Sequence, residues 1–168
     1  MGKFSGLFCK RFISLLKSES NLKVGQYYCN RHCFTKKTFK VGEKAQILRV
    51  FKQSDVNTFA ELTGDRNPIH TDNEFAGNGR FAGCVVHGVL VNGLISCLHG
   101  TILPGAGCLV VSQNIKFISP LFVGETVSAE VEVLSYRHYV MVCSAVCKAV
   151  NRNEVILIGE TKLLLPKT

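Results

Sequence analysis

The chain has 168 residues, 46% hydrophobic and 19% charged, which is the length of one domain and too apolar for a disordered polymer. No run approaches the ~18 consecutive apolar residues that span a bilayer, so a transmembrane helix is excluded. The net charge of +8 sits entirely in residues 1–40, while residues 41–168 carry eleven basic and eleven acidic groups, a body without the basic footprint that nucleic-acid binding requires.

In chain order, Phe4, Phe8, Phe12, Leu15 and Leu16 share one face of a helical wheel, and Lys3, Lys10 and Lys17 recur every seven residues on another. A basic, acid-poor, serine-interspersed start of this kind has the composition of a mitochondrial transit peptide. The expected division is therefore a targeting segment over 1–40, addressed to the mitochondrial matrix, and a domain over 41–168. The competing reading is a helix belonging to the domain itself. Cys29, His32 and Cys33 are three potential zinc ligands, but no second Cys/His pair at zinc-finger spacing accompanies them, and no metal is expected. The eight cysteines follow no secretory signal, and the body is long enough to bury a core unaided. They read as buried thiols, not as a disulfide framework.

The body opens with a strand over 45–51. Ser54 reads as the N-cap of a short helix with Asp55 in its first turn and Val56, Phe59, Ala60 and Leu62 on its apolar face. Gly64 ends that helix, and Asn67-Pro68 prevents its continuation. Thr71 to Glu74 has the spacing of a capping box opening another helical turn. The most apolar helix is expected from 87 to about 102, held by burial because Gly88, Gly93 and Gly100 lower its propensity. Four strands follow, over 109–118, 127–134, 139–150 and 155–165. The first of them looks buried on both faces at Leu109-Val110-Val111. The expected architecture is α+β, an antiparallel meander curled around a central helix.

The run from 59 to 72, FAELTGDRNPIHTD, carries the chemistry. Asp65 and His70 flank Asn67-Pro68, and a proline-fixed turn can aim a carboxylate and an imidazole at one point. Their ordinary pKa values, near ~3.9 and ~6.5, suit proton transfer at neutral pH. The same residues are also ordinary turn chemistry, with Asp65 and Asn67 capping local amides. His87 and His99 read as hydrogen-bonded structural histidines, and Asp72 as a helix cap.

This run, followed by Ala76, Phe81 and Val85-Val86-His87-Gly88-Val89, resembles the signature of the MaoC-type dehydratases of the hot-dog fold. Asn114 to Pro120 and Val123-Gly124-Glu125-Thr126 resemble its looser second landmark. The resemblance implies a single hot-dog fold that dehydrates (R)-3-hydroxyacyl thioesters reversibly to trans-2-enoyl thioesters, within mitochondrial fatty-acid synthesis. Asp65 and His70 fall on the family's catalytic pair and Gly88 on the glycine whose N–H polarises the thioester carbonyl. Asn67 and Ser96 fall on site-lining positions. No metal or organic cofactor is implied. The substrate would ride on acyl carrier protein or coenzyme A, with Arg66, Arg80, Lys116 and Arg137 available for an acidic carrier. A homodimer with its two sheets joined side by side is also implied. Two rival readings remain at this point: an acyl-thioester hydrolase on the same fold, and an RNA-associated module that uses the basic residues 1–40.

Overall fold

A computed structural model describes residues 38–166. The amphipathic positions and the Cys29, His32, Cys33 group lie outside the described residues, and of the 1–40 segment only residues 38–40 are described. Five strands form one antiparallel sheet: β1 (Lys44–Val50), β2 (Leu109–Phe117), β3 (Thr126–Arg137), β4 (Val140–Ala149) and β5 (Glu154–Leu164). Four helices precede β2: α1 (Gln53–Thr63), α2 (Pro68–Thr71), α3 (Asn73–Asn78) and α4 (Gly88–Thr101). No helix among the described residues is long and apolar enough to cross a membrane.

The period-two pattern of β3 puts Val127, Ala129, Val131 and Val133 fully into the core, with Ser128, Glu130 and Glu132 on the opposite face. The sheet curls around α4, which buries Val91, Leu94, Ile95, Leu98 and His99 against it. The glycines that weaken the helix intrinsically are thus offset by burial, as the sequence suggests. Cys84, Cys143 and Cys147 are buried free thiols, and burial pushes Cys143 and Cys147 up to about 12.

The strand order is β1-β3-β4-β5-β2, which corrects the expected four-strand meander. Only β3, β4 and β5 are sequential neighbours. β2 crosses to pair with β5, Phe117 opposite Leu157 and Leu109 opposite Leu164. Adjacency in sequence does not specify such a crossover. The order leaves β2 on an edge, so Leu109, Val110 and Val111 are 61%, 40% and 50% exposed and are not buried on both faces within this chain. α1 also starts earlier than its serine suggests. Lys52 is its N-cap, and the Asp55 carboxylate reaches back to the Lys52 amide at 2.9 Å. Gly64 closes α1 in the left-handed region, φ 79°. Thr71 belongs to α2, and Asp72 caps α3 by accepting from the Phe75 amide at 2.9 Å.

Candidate active site

The turn between α1 and α2 is built from its own side chains. Asp65 Oδ1 accepts from the Asn67 amide, and Asn67 Oδ1 from the Ile69 amide, each at 3.3 Å. Pro68, with φ already helical and no N–H to satisfy, starts α2. The turn-capping reading therefore holds, and the same Asx caps fix where Asp65 and His70 sit.

His70 is anchored from outside the turn. A short extended segment, Cys84 to Val86, is pinned between α2 and the 121–123 stretch by Val85 N–H to Ile69 O, Val86 N–H to Leu121 O and Val123 N–H to Cys84 O. The Val85 carbonyl then accepts from His70 Nδ1 at 2.7 Å. A carbonyl only accepts, so Nδ1 carries the proton and Nε2 presents its lone pair. His70 is buried. Burial lowers its pKa; the Val85 bond and Asp65 oppose that shift, and the neighbouring His87 adds to it. The imidazole is therefore a neutral base at physiological pH.

The segment continues through His87 into α4. His87 is the N-cap of α4 and supplies no side-chain cap, so the first amides of the helix, including Gly88 N–H, have no intrahelical acceptor. They form an anion-favouring point at the positive end of a 14-residue helix. The Phe117 ring packs closely over Gly88: a Cβ there would lie 2.7 Å from it, so a larger residue would have to displace the ring.

A cleft of ≈ 700 Å³ opens over His70 and Gly88, with Val86, Val91, Leu121 and Ile156 among its largely apolar walls. The second landmark builds one wall. Glu125 accepts from Arg152 Nε at 2.6 Å and from the Phe122 amide at 2.9 Å, and Arg152 also donates to the Pro120 carbonyl at 2.8 Å. Glu154 takes both Ser119 and Arg152. Burial pushes the Glu125 carboxyl up, but Arg152 and the Phe122 amide more than reverse this and hold it below the ordinary carboxylate range.

The structure brings Asp65 and His70 together with His87, one ligand-type atom of each lying within 4.8 Å of the others. Each imidazole spends a nitrogen on a main-chain carbonyl, and the two rings are stacked at 3.8 Å and 26°. Asn67 shapes the turn and does not line the cleft. Ser96 lies exposed two turns along α4, on its outer face. Of the basic candidates, Arg80 lines the cleft. His99 is the buried, hydrogen-bonded histidine expected, its Nδ1 3.1 Å from the Leu103 carbonyl. His87 is also buried and hydrogen-bonded, as expected, but its place between Asp65 and His70 was not read from the sequence. Its position directly before the helix-opening glycine was the available signal.

A curled antiparallel sheet around one long helix, with an acid and an imidazole beside that helix's N-terminus, defines a hot-dog enzyme of the hydratase and dehydratase class. Residues 34–153 match the family model described as MaoC like domain, and the chain belongs to the MaoC-like dehydratase family. It is 38% identical over 128 residues to the 3-hydroxybutyryl-CoA dehydratase of Methylorubrum extorquens, covering 76% of this chain and 82% of that one. It is 34% identical over 137 residues to the mitochondrial 3-hydroxyacyl-[acyl-carrier-protein] dehydratase of Arabidopsis thaliana, covering 79% and 81%. The solved (R)-hydratase of Aeromonas caviae, 35% identical, superimposes with a TM-score of 0.75 over 77% of this chain and 99% of that one.

Proposed function

We propose that this protein interconverts (R)-3-hydroxyacyl and trans-2-enoyl thioesters, with Asp65 and His70 as the proton-handling pair and Gly88 N–H as the oxyanion donor. The observation that carries the assignment is the convergence of His70 and an unpaired helix N-terminus on one apolar cleft, with the Asp65 carboxylate within 4.8 Å of the imidazole. In hydration, one water is held between the Asp65 carboxylate and His70 Nε2. Its oxygen bonds to C3, its proton passes to the pair, and a proton from the pair reaches C2 on the same face. Negative charge that builds on the thioester oxygen meets the Gly88 amide. Dehydration runs the same steps backwards. The activating group belongs to the substrate, so the chain's own residues suffice for the proton transfers.

Asp65→Asn and His70→Ala should each lower kcat by at least about 100-fold while leaving the thermal transition in place. Loss of enoyl absorbance from a crotonyl thioester measures this, and assay of free thiol on the same samples separates hydration from hydrolysis. Two variants with near-wild-type rates end the assignment.

The carrier, the compartment and the assembly belong to the same proposal. Mitochondrial relatives such as the Arabidopsis dehydratase and the basic, amphipathic residues 1–40 favour a matrix enzyme whose substrate rides on acyl carrier protein. Comparison of one acyl chain on the two carriers decides that point. The exposed apolar edge of β2 favours a homodimer.

A further inference from the structure

We infer that His87 is a positioning residue for this site, holding Asp65 through its main chain and backing the His70 ring. This deepens the hydratase reading and rests on it. His87 is 2% exposed, and three contacts converge on it. Its Nε2 lies 3.1 Å from the Asp65 carbonyl. That oxygen only accepts, so Nε2 is the protonated nitrogen. Its ring stacks on His70 at 3.8 Å and 26°. Phe59 of α1 packs against it in a tilted ring contact at 4.9 Å, a contact from the helix that leads into the turn.

The remaining nitrogen, Nδ1, is buried without a hydrogen-bond partner. An unpaired buried acceptor costs free energy, so a residue needed only to fill this space is better as Phe or Leu. What an imidazole supplies and a phenyl ring does not is the Nε2–H donor. That donor is aimed at the backbone of the residue whose carboxylate must meet the water. The carboxylate itself is half exposed, and its Oδ2 is 4.0 Å from the same nitrogen. The Asx caps fix the turn locally, and the His87 bond ties it to α4, where Gly88 begins. One side chain thus links all three reacting groups. A shift of about 1 Å among such groups is worth about 100-fold in rate.

The titratable groups facing His70 are Asp65 from the turn and His87 from the start of α4, with Arg80, Arg152 and Glu154 lining the same cleft. His87 opposes protonation of His70, so its removal should raise the His70 titration midpoint.

The test compares three variants of the full chain. His87→Ala should lower kcat about 100-fold with KM within about threefold. His87→Gln, whose amide N–H reaches the Nε2 position, should recover at least about tenfold of that loss. His87→Phe, which fills the space without a donor, should stay as slow as alanine. A purely packing role gives the opposite order, and phenylalanine rescue without glutamine rescue overturns the proposal, even if alanine fails to fold. Imidazole NMR of wild type, His87→Gln and His87→Phe is read independently of turnover. An upward shift of the His70 midpoint in both variants supports the coupling, and an unchanged midpoint overturns it. A wild-type protein that shows no hydration at all overturns the hydratase reading, while the NMR result still decides whether His87 acts on His70.

Discussion

In the proposed reaction His70 has to remain an unprotonated base while it is packed against a second imidazole, and this sets a pH dependence. Burial, as the leading cause, places its folded pKa below the ordinary ~6.5. His99, buried in the core at the end of α4, is shifted the same way by burial. A depressed histidine contributes its stability in full above the unfolded-state value, and loses it as pH falls through the folded value, because the unfolded chain then binds more protons. The thermal midpoint should therefore be level between about pH 7 and 8 and decline below about 6.5. The acid limb of kcat/KM should likewise lie below ~6.5. Scanning calorimetry and initial rates on one buffer series measure both, and an acid limb above pH 7 contradicts a neutral His70 base. At this scale the grouping of Asp65 with His70 and the placement of Gly88 at the start of α4 were legible in the sequence, because a proline-fixed turn and a helix-opening glycine are local signals. His87 was not, since its role depends on a stacking partner 17 residues away that only the pinned segment from Cys84 to Val86 brings close.

The elements owe their exactness of fit to one crowded crossing. Gly159 of β5 faces Ile115 of β2, and a Cβ at Gly159 would lie 2.7 Å from both the Asn114 carbonyl oxygen and Ile115 Cγ2. The carbonyl is backbone inside a ladder, so it cannot swing aside as the Phe117 ring can over Gly88. Gly159→Ala should destabilise the fold by about 1–3 kcal/mol by prising β2 from β5. β2 ends at Phe117 and runs directly into the cleft wall from Ile118 to Phe122, so KM should rise along with the loss of stability. Urea unfolding and steady-state kinetics check both, and a variant with wild-type stability shows that the crossing has slack. The individual strands and α4 were readable from periodicity to within a residue at each end, except that β3 runs three residues past the expected 134 to Arg137. The order of the strands was not, because period-two alternation says which face is buried but not which neighbour is hydrogen-bonded, and β2 carries similar apolar residues wherever it is placed.

For the whole molecule, the unfinished surface is the β2 edge together with the outer face of α4. Leu109, Val111, Phe117 and Ile118 are each at least half exposed, and Val89 is 65% exposed on the helix alongside. Further along that helix face come Gly93, Ser96 and Gly100, small enough for a second backbone to approach. Soluble monomers rarely leave a long apolar strand with unpaired edge groups open to water. A second copy related by a two-fold axis satisfies both needs at once, since β2 pairs antiparallel with its own equivalent and the two helices meet across the small residues. In the proposed dimer Ser96, exposed on the outer face of α4 and outside the cleft of its own chain, would face the partner. Light scattering at low micromolar concentration should give about 28–37 kDa, the lower figure allowing for loss of residues 1–40. Val111 occupies the bulge between Val110 and Ser112 and has no cross-strand partner in β5, so Val111→Lys should place a charge in the joint without disturbing the intrachain ladder. That variant should run at half the mass and lose activity if the partner completes the site. A half-mass variant with full turnover shows instead that each chain closes its own cleft, leaving the Asp65 and His70 chemistry intact but confining the role of the second copy to covering the edge.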